Sequence, residues 1–214
     1  MTHSPRTTYS APHPLMVLAE KSEGDTPTRC AEMGNGAEMG PLIFMSPLDA
    51  EMFRQRHVDV CGDHLRICPL EKFGFTELFQ RKGGRMAYYL VYGFTMSVDR
   101  QFHVRNSKAD LGPMLRQHGF GVPADSVPRY MFQFDANIFR GAEEDILSQG
   151  IDDYAGELEE IRSWPDKLLR AKARRALDET TFTMKPSRNT WSIYHASATQ
   201  WRCRSLEAAG HRLN

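Results

Sequence analysis

Apolar and polar positions alternate most regularly over residues 86–99, and this period of two predicts the longest strand in the chain. One face of the predicted strand carries larger side chains than the other. The larger face consists of Met86, Tyr88, Leu90, Tyr92, Phe94, Met96 and Val98. Shorter apolar runs predict further strands over residues 41–45, 64–71, 129–135, 181–184 and 191–195.

Helical signals lie between these strands. Ser46, Pro47 and Asp49 are typical of a helix start, because a Ser side chain caps free amides and Pro and Asp suit the first turn. Residues 142–179 repeat apolar positions every three or four residues, and Pro165 predicts a break between two helices. Residues 107–118 predict another short helix, which ends at a glycine.

The order of these elements predicts an α+β fold, a mostly antiparallel sheet with helices packed on it. Residues 1–40 differ from the rest, because they are rich in Ser, Thr, Pro and Gly and contain one short apolar run at residues 15–18. Such a composition buries too little apolar surface to offset the entropy of ordering. We therefore predict a flexible tail over residues 1–40, with docking of residues 15–18 as an open alternative, and one domain over residues 41–214.

Composition narrows the class of protein. The chain holds 27 Lys and Arg against 27 Asp and Glu, a net charge of zero, which disfavours nonspecific nucleic-acid binding. No apolar run reaches the roughly 18 residues that span a bilayer, so we expect no membrane partner. The four cysteines are too scattered for a disulfide framework, and no export signal is visible. A cytoplasmic protein is the resulting expectation.

Charge is segregated along the helical segment. Residues 143–160 carry eight acidic side chains and no basic one, whereas residues 162–175 carry six basic side chains against Asp166. A helical hairpin would place the two charges face to face, whereas splayed helices would leave each charged face free for a partner. A solvated helix face is the plain alternative. The candidate partner-binding residues are Lys167, Arg170, Arg174 and Arg175.

One cluster of residues has a composition that suits zinc. His57, Cys61, His64 and Cys68 supply imidazole and thiolate groups, the ligands that tetrahedral zinc prefers. Their spacing is unusual, since all four fall within twelve residues of one segment. We therefore favour ordinary core or surface roles for them, and expect no cofactor.

Signatures of common enzymes are missing. The chain lacks a phosphate-binding Gly-rich loop, a Gly-x-Ser-x-Gly turn and a His-Glu-x-x-His helix. His103 and His195 lie in predicted strands, and either would suit a general base if a carboxylate such as Asp99 or Asp135 came near. An enzyme of unrecognised type therefore stays an alternative, although the chain leans away from catalysis.

These patterns favour a cytoplasmic protein-binding module, such as an inhibitor, an immunity-type factor or an adaptor, that acts through its charge-segregated helices. The abundance of aromatic and Met side chains, which are enriched in interface cores, agrees with this reading. A nucleic-acid-binding accessory protein is the alternative, with the basic helix over residues 162–175 and the segment 201–204 as its contact surface.

Overall fold

The structure is a computed structural model that describes residues 8–21, 26–61, 64–83, 85–96, 101–105, 110–111, 113–121, 131–183 and 190–205. Within them, eight strands form a mixed sheet in the order β13-β12-β6-β4-β2-β5, with β3 paired to β4 and β9 paired to β6. Most pairs are antiparallel, whereas β4 runs parallel to β6. The predicted α+β class is confirmed.

The elements follow one another along the chain with short connections. The strands are β1 (Thr8–Ser10), β2 (Met16–Glu20), β3 (Glu32–Met33), β4 (Gly40–Phe44), β5 (Leu65–Pro69), β6 (Arg85–Thr95), β7 (Gln101–Arg105), β8 (Asp110–Leu111), β9 (Pro113–Gly121), β10 (Met131–Gln133), β11 (Thr181–Thr183), β12 (Thr190–His195) and β13 (Gln200–Ser205). The α-helices are α1 (Pro47–Cys61), α2 (Phe75–Arg81), α3 (Ala136–Leu147), α4 (Tyr154–Ser163) and α5 (Asp166–Asp178). No helix in the described part of the chain is long and apolar enough to cross a bilayer.

Helices cover both faces of the sheet, and the sheet separates two hydrophobic cores. The first core lies against α2, α3 and the start of α4, with Phe79, Phe139 and Leu158 among its side chains. The second core lies against α1 and α5, with Phe53 and Leu169 among its side chains. Because the sheet has helices on both sides, its central strands are apolar on both faces.

Strand β2 lies within the segment that the sequence predicted to be a flexible tail. Its residues pair with β4 on one side and with β5 on the other, so the strand lies inside the main sheet. Leu15, Val17 and Leu18 are completely buried. The prediction of a tail that is flexible throughout residues 1–40 is therefore wrong for Met16–Glu20. The docking of residues 15–18 is what the structure shows, because this run supplies the apolar side chains of a central strand.

Strand β6 has the long alternation that the sequence predicted, but its face changes once. Tyr88, Leu90 and Tyr92 point into the first core, whereas Phe94 and Met96 point into the second. The register with β9 shifts between Val91 and Phe94, and Gly93 adopts a φ of +145°. A β-bulge of this kind inserts one residue and moves every later side chain to the opposite face.

Strand β9 replaces the short helix predicted over residues 107–118. Pro113–Gly121 pairs antiparallel with β6 along nearly its whole length. Helix propensity is a weak preference, and a long partner strand overrides it. In contrast, the break at Pro165 is confirmed, because α4 ends at Ser163 and α5 begins at Asp166.

Candidate functional site

Helix α5 presents its basic residues to solvent because its apolar face is occupied. Leu169, Ala173 and Ala176 are buried against the second core, where α5 packs along α1. Gln55 of α1 adds a bond from its side-chain Nε2 to the carbonyl of Arg170 at 3.0 Å. Helix α5 therefore packs on the protein with one side and is exposed to solvent on the other, which we call its free side.

Lys167, Arg170 and Arg174 share the free side, since residues three and four positions apart lie on one helix face. All three are exposed, and none forms an ion pair with a carboxylate of the described residues. The fourth predicted residue, Arg175, lies on another flank, where its Nε is 3.6 Å from Glu179 Oε1. We call Lys167, Arg170 and Arg174 the basic stripe.

The acidic segment does not cover the basic stripe. The acidic segment, residues 143–160, spans the end of α3 and most of α4. Helix α4 packs on α3 and α1 rather than along α5. Several carboxylates of the acidic segment already have hydrogen-bond partners within the fold. Glu143 lies 2.6 Å from His13 Nε2, Asp145 is buried and accepts from Tyr92 at 2.9 Å, and Asp153 caps α4 through the Gly156 amide. The basic stripe is thus the clearer of the two charged surfaces.

Segment 201–204 does not provide an exposed aromatic ring. Trp201 is 4% exposed and packs edge-on against Phe102 and Tyr194 in the second core. Its Nε1–H donates to the carbonyl of Ala176 at 2.9 Å. A buried ring cannot stack on a nucleic-acid base. Trp201 therefore gives no support to the alternative that this chain binds nucleic acid. Arg202 and Arg204 on the same strand are half-buried.

The aromatic side chains that the structure describes lie mostly in the interior of the protein. Phe, Tyr and Trp side chains make edge-to-face contacts in both cores, as Tyr88 with Phe134 in the first core and Phe94 with Phe102 in the second illustrate. Among the described residues the exposed large apolar side chains are Met39, Leu147 and Leu168. Within the described ranges the aromatic side chains therefore serve packing and give no support to a binding surface.

The predicted zinc ligands are only partly described. His64 is exposed just before β5, whereas Cys68 is buried in the first core with its Sγ 3.4 Å from the Pro69 carbonyl. The side chains of His57 and Cys61 lie outside the described residues. The described part of the chain contains no group of three or more His, Cys, Asp or Glu arranged to hold a metal ion.

His195 does meet a carboxylate, although a different one from those considered in the sequence. Its Nε2 is 3.1 Å from Glu157 Oε2 on α4. Its Nδ1 is buried and has no hydrogen-bond partner among the described residues. A general base needs a free nitrogen that reaches a substrate, and neither nitrogen of His195 offers one here. Asp135 instead caps α3 by accepting from the Asn137 amide, and Asp99 and the His103 side chain lie outside the described residues.

Glu157 anchors a turn as well as His195. It is 5% exposed, and its Oε1 accepts from the Ala196 amide at 2.8 Å, while the Ser197 hydroxyl lies 3.4 Å from Oε2. Ala196 and Ser197 belong to the turn between β12 and β13. Burial raises the pKa of Glu157, and these bonds together with His195 act in the opposite direction.

Asp49 of α1 is a second buried carboxylate. It is 2% exposed in the first turn of α1, and its Oδ2 has no hydrogen-bond partner among the described residues. Burial, with the negative charge of Glu157 as a second cause, raises the pKa of Asp49 to about 7. No local sequence signal marks either residue as buried, because Asp49 resembles an ordinary first-turn acid and Glu157 is one of eight acids in a charged run.

A shallow pocket of about 390 Å³ lies beside Cys30. Its lining residues are Glu20, Arg29, Cys30, Glu32, Leu78, Arg81 and Lys82. Lys82 Nζ is 2.7 Å from Glu32 Oε2, and Arg81 donates to the Thr28 carbonyl, so two cations already have partners. Burial, together with the charge of Glu32, raises the pKa of the Cys30 thiol. Cys30 is therefore a neutral thiol rather than a nucleophile at neutral pH.

The geometry thus offers one exposed charged surface, the basic stripe, and one buried polar cluster around Glu157 that holds elements of the fold together. Neither arrangement carries a reacting centre among the described residues. No protein-family model, curated protein sequence or solved structure matches this chain.

Proposed function

We propose that this chain is a protein-binding module that docks an acidic partner on the basic stripe of α5. The supporting observation is that Lys167, Arg170 and Arg174 are exposed side by side and have no carboxylate partner among the described residues. Such a surface attracts and orients an acidic partner and repels basic ones. A cytoplasmic inhibitor, immunity-type factor or adaptor would use it in this way.

The attachment of α5 also supports the proposal. The helix is held by its apolar face on α1, by Gln55 and by Trp201, so its basic side chains project from a rigid base. Binding to a preorganised surface costs less entropy than binding to a segment that must first order. A single helix face is a small contact area, so we expect the partner to reach neighbouring surface as well.

Site-specific photo-cross-linking in cells of the source organism tests the proposal. A cross-linking amino acid at position 170 or 174 is expected to give a discrete adduct that protease removes and nuclease leaves intact. The same amino acid at the exposed acidic positions Glu159 and Glu160 of α4 is the control and should not give that adduct. The double variant Arg170→Glu/Arg174→Glu, with the cross-linker at Lys167, should reduce the adduct at least tenfold.

The variant must remain folded for this result to count. Charge reversal at exposed helix positions changes the free energy of unfolding by about 0.5 kcal/mol or less, so its melting curve should match that of the natural chain. A nuclease-sensitive adduct would favour the nucleic-acid alternative, for which the basic helix is the remaining contact surface. The same adduct from positions 159 and 174 would contradict the proposal.

A further inference from the structure

Strand β13 carries two arginines on one face of the main sheet. Trp201 points into the second core, so the alternation along the strand turns Arg202 and Arg204 to the opposite face. In the pairing with β12, Arg202 lies opposite Ile193. Arg204 lies opposite Trp191, and both of these β12 side chains belong to the first core. The two arginines start about 7 Å apart, the two-residue repeat of a strand, so both can reach one small group.

Arg202 and Arg204 carry positive charge that no described carboxylate neutralises. Both are half-buried, and neither forms an ion pair with a described Asp or Glu. The Nε of Arg202 is shielded from solvent and has no hydrogen-bond partner among the residues that the structure describes. A buried donor on a charged group is costly when it has no acceptor. An acceptor from outside the described chain would remove this cost.

Other arginines of the fold that are shielded from solvent do have acceptors. The Nε and Nη2 of Arg54 donate to the two carboxylate oxygens of Glu51 at 2.8 and 2.7 Å. Arg162 also has a buried Nε without a bond, but its Nη2 donates to the carbonyl of Pro14 at 2.9 Å. Arg202 differs from both, because none of its guanidinium nitrogens has a described acceptor. An oxyanion at this position would take the place that Glu51 has at Arg54.

We propose that Arg202 and Arg204 bind the phosphate group of a phosphate monoester. Such a group carries about −1.5 to −2 charges at pH 7 and three acceptor oxygens, so two guanidinium groups can donate to it together. A carboxylate or a phosphodiester carries one charge and two free oxygens. A single arginine already satisfies these, as Arg54 does for Glu51. The charge and the number of acceptors therefore favour the monoester.

Three small anions test this choice of ligand by calorimetry at pH 7.5 and constant ionic strength. Methyl phosphate is the monoester, dimethyl phosphate is the matched diester, and acetate is the carboxylate. Methyl phosphate is expected to bind saturably with a dissociation constant at least tenfold lower than that of either other anion. No saturable binding of methyl phosphate, or equal binding of all three anions, would overturn the proposal.

Two double variants separate the site from a general attraction to positive charge. Arg202→Gln/Arg204→Gln is expected to weaken binding of methyl phosphate at least tenfold. Arg66→Gln/Arg140→Gln removes the same number of charges at exposed positions of β5 and α3, and its affinity should stay within twofold of the natural chain. Equal weakening in both variants would contradict a specific site. Melting curves of both variants show whether they remain folded.

A measurement on the natural chain covers the case in which the first variant fails to fold. The ¹H–¹⁵N signal of the Arg202 Nε–H should shift during the methyl phosphate titration with the dissociation constant that calorimetry gives. Binding that leaves this signal unshifted would place the ligand elsewhere and overturn the proposal. The basic stripe lies on α5, which packs on the second core, so the site is on the other face of the sheet. Failure of partner binding at the basic stripe therefore leaves these expectations unchanged.

Discussion

Trp201 donates its indole Nε1–H to the backbone carbonyl of Ala176 across 2.9 Å, and this bond joins strand β13 to the last turn of α5. The last four carbonyls of a helix have no partner within it. Neighbouring carbonyls of α5 are satisfied locally, as Arg175 accepts from the Glu179 amide and Leu177 from Thr180. The indole therefore supplies a tertiary cap for the helix that carries the basic stripe.

Trp201→Phe is expected to lower the free energy of unfolding by about 2–4 kcal/mol. The substitution leaves the Ala176 carbonyl without its donor and opens a small cavity. Tyr194→Phe is the matched control, because the Tyr194 hydroxyl is buried in the same cluster and has no hydrogen-bond partner among the described residues. Denaturant unfolding should show a loss of about 1 kcal/mol or less for the control. Similar losses for both variants would indicate that packing alone, and not the bond, matters at Trp201.

Stability is expected to decrease with rising pH because of Asp49. The folded-state pKa of about 7 lies above the unfolded value of 3.8, so the folded chain binds more protons between these values. The stabilisation from the protonated carboxyl is complete below about pH 4 and is lost as pH rises through 7. A difference of this size corresponds to on the order of 4 kcal/mol.

Asp49→Asn should remove this dependence. The variant is expected to melt several degrees above the natural chain at pH 8 and close to it at pH 4, because asparagine resembles the protonated acid. Melting temperatures at the two pH values provide the measurement. A variant that is less stable at pH 8 would mean that the charged form of Asp49 is satisfied, against the structure.

Gly93→Ala is expected to destabilise the fold by about 3 kcal/mol or more. The residue has a φ of +145°, and an added Cβ would lie 2.6 Å from the carbonyl oxygen of Ser192 on the adjacent strand β12. Gly83→Ala is the control, since Gly83 also has a positive φ, +69°, but open space around it. Its cost should be about 1–2 kcal/mol. Equal costs in chemical unfolding would show that backbone conformation, without the close approach, accounts for Gly93.

Purified protein is expected to contain well below one zinc ion per chain. His64 is exposed just before β5, whereas the Cys68 side chain is buried in the first core, so the two side chains do not face a common tetrahedral ion. Elemental analysis after growth with added zinc measures the content. One zinc per chain that disappears in Cys61→Ser/Cys68→Ser would restore the metal hypothesis.

Local signals in the sequence were sufficient for elements that depend on their own residues. Ser46 and Pro47 start α1, with the Ser46 Oγ accepting from the Leu48 amide at 3.1 Å. Pro165 separates α4 from α5, and the alternation from Met86 onward produces β6. In each case a cap, a missing amide or a repeat of side-chain type acts within a few residues.

One of the two candidate sites could be predicted from local sequence, and the other could not. The exposure of Arg170 and Arg174 agrees with the charged face expected from helix periodicity, because polar residues on one face of an amphipathic helix turn to solvent. The pairing of Glu157 with His195 was not predictable, since the two residues are far apart in sequence and no local pattern marks them as neighbours.

By itself the sequence determined the caps, the helix break, the long alternating strand and the basic face of α5, because these arise from interactions within one or two turns or along one strand. Only the tertiary structure decided that Met16–Glu20 lies inside the sheet, that Pro113–Gly121 is a strand, and that the faces of β6 exchange at Gly93. Strand partners and buried carboxylate neighbours are set by which surfaces exclude water together, and that choice belongs to the whole chain.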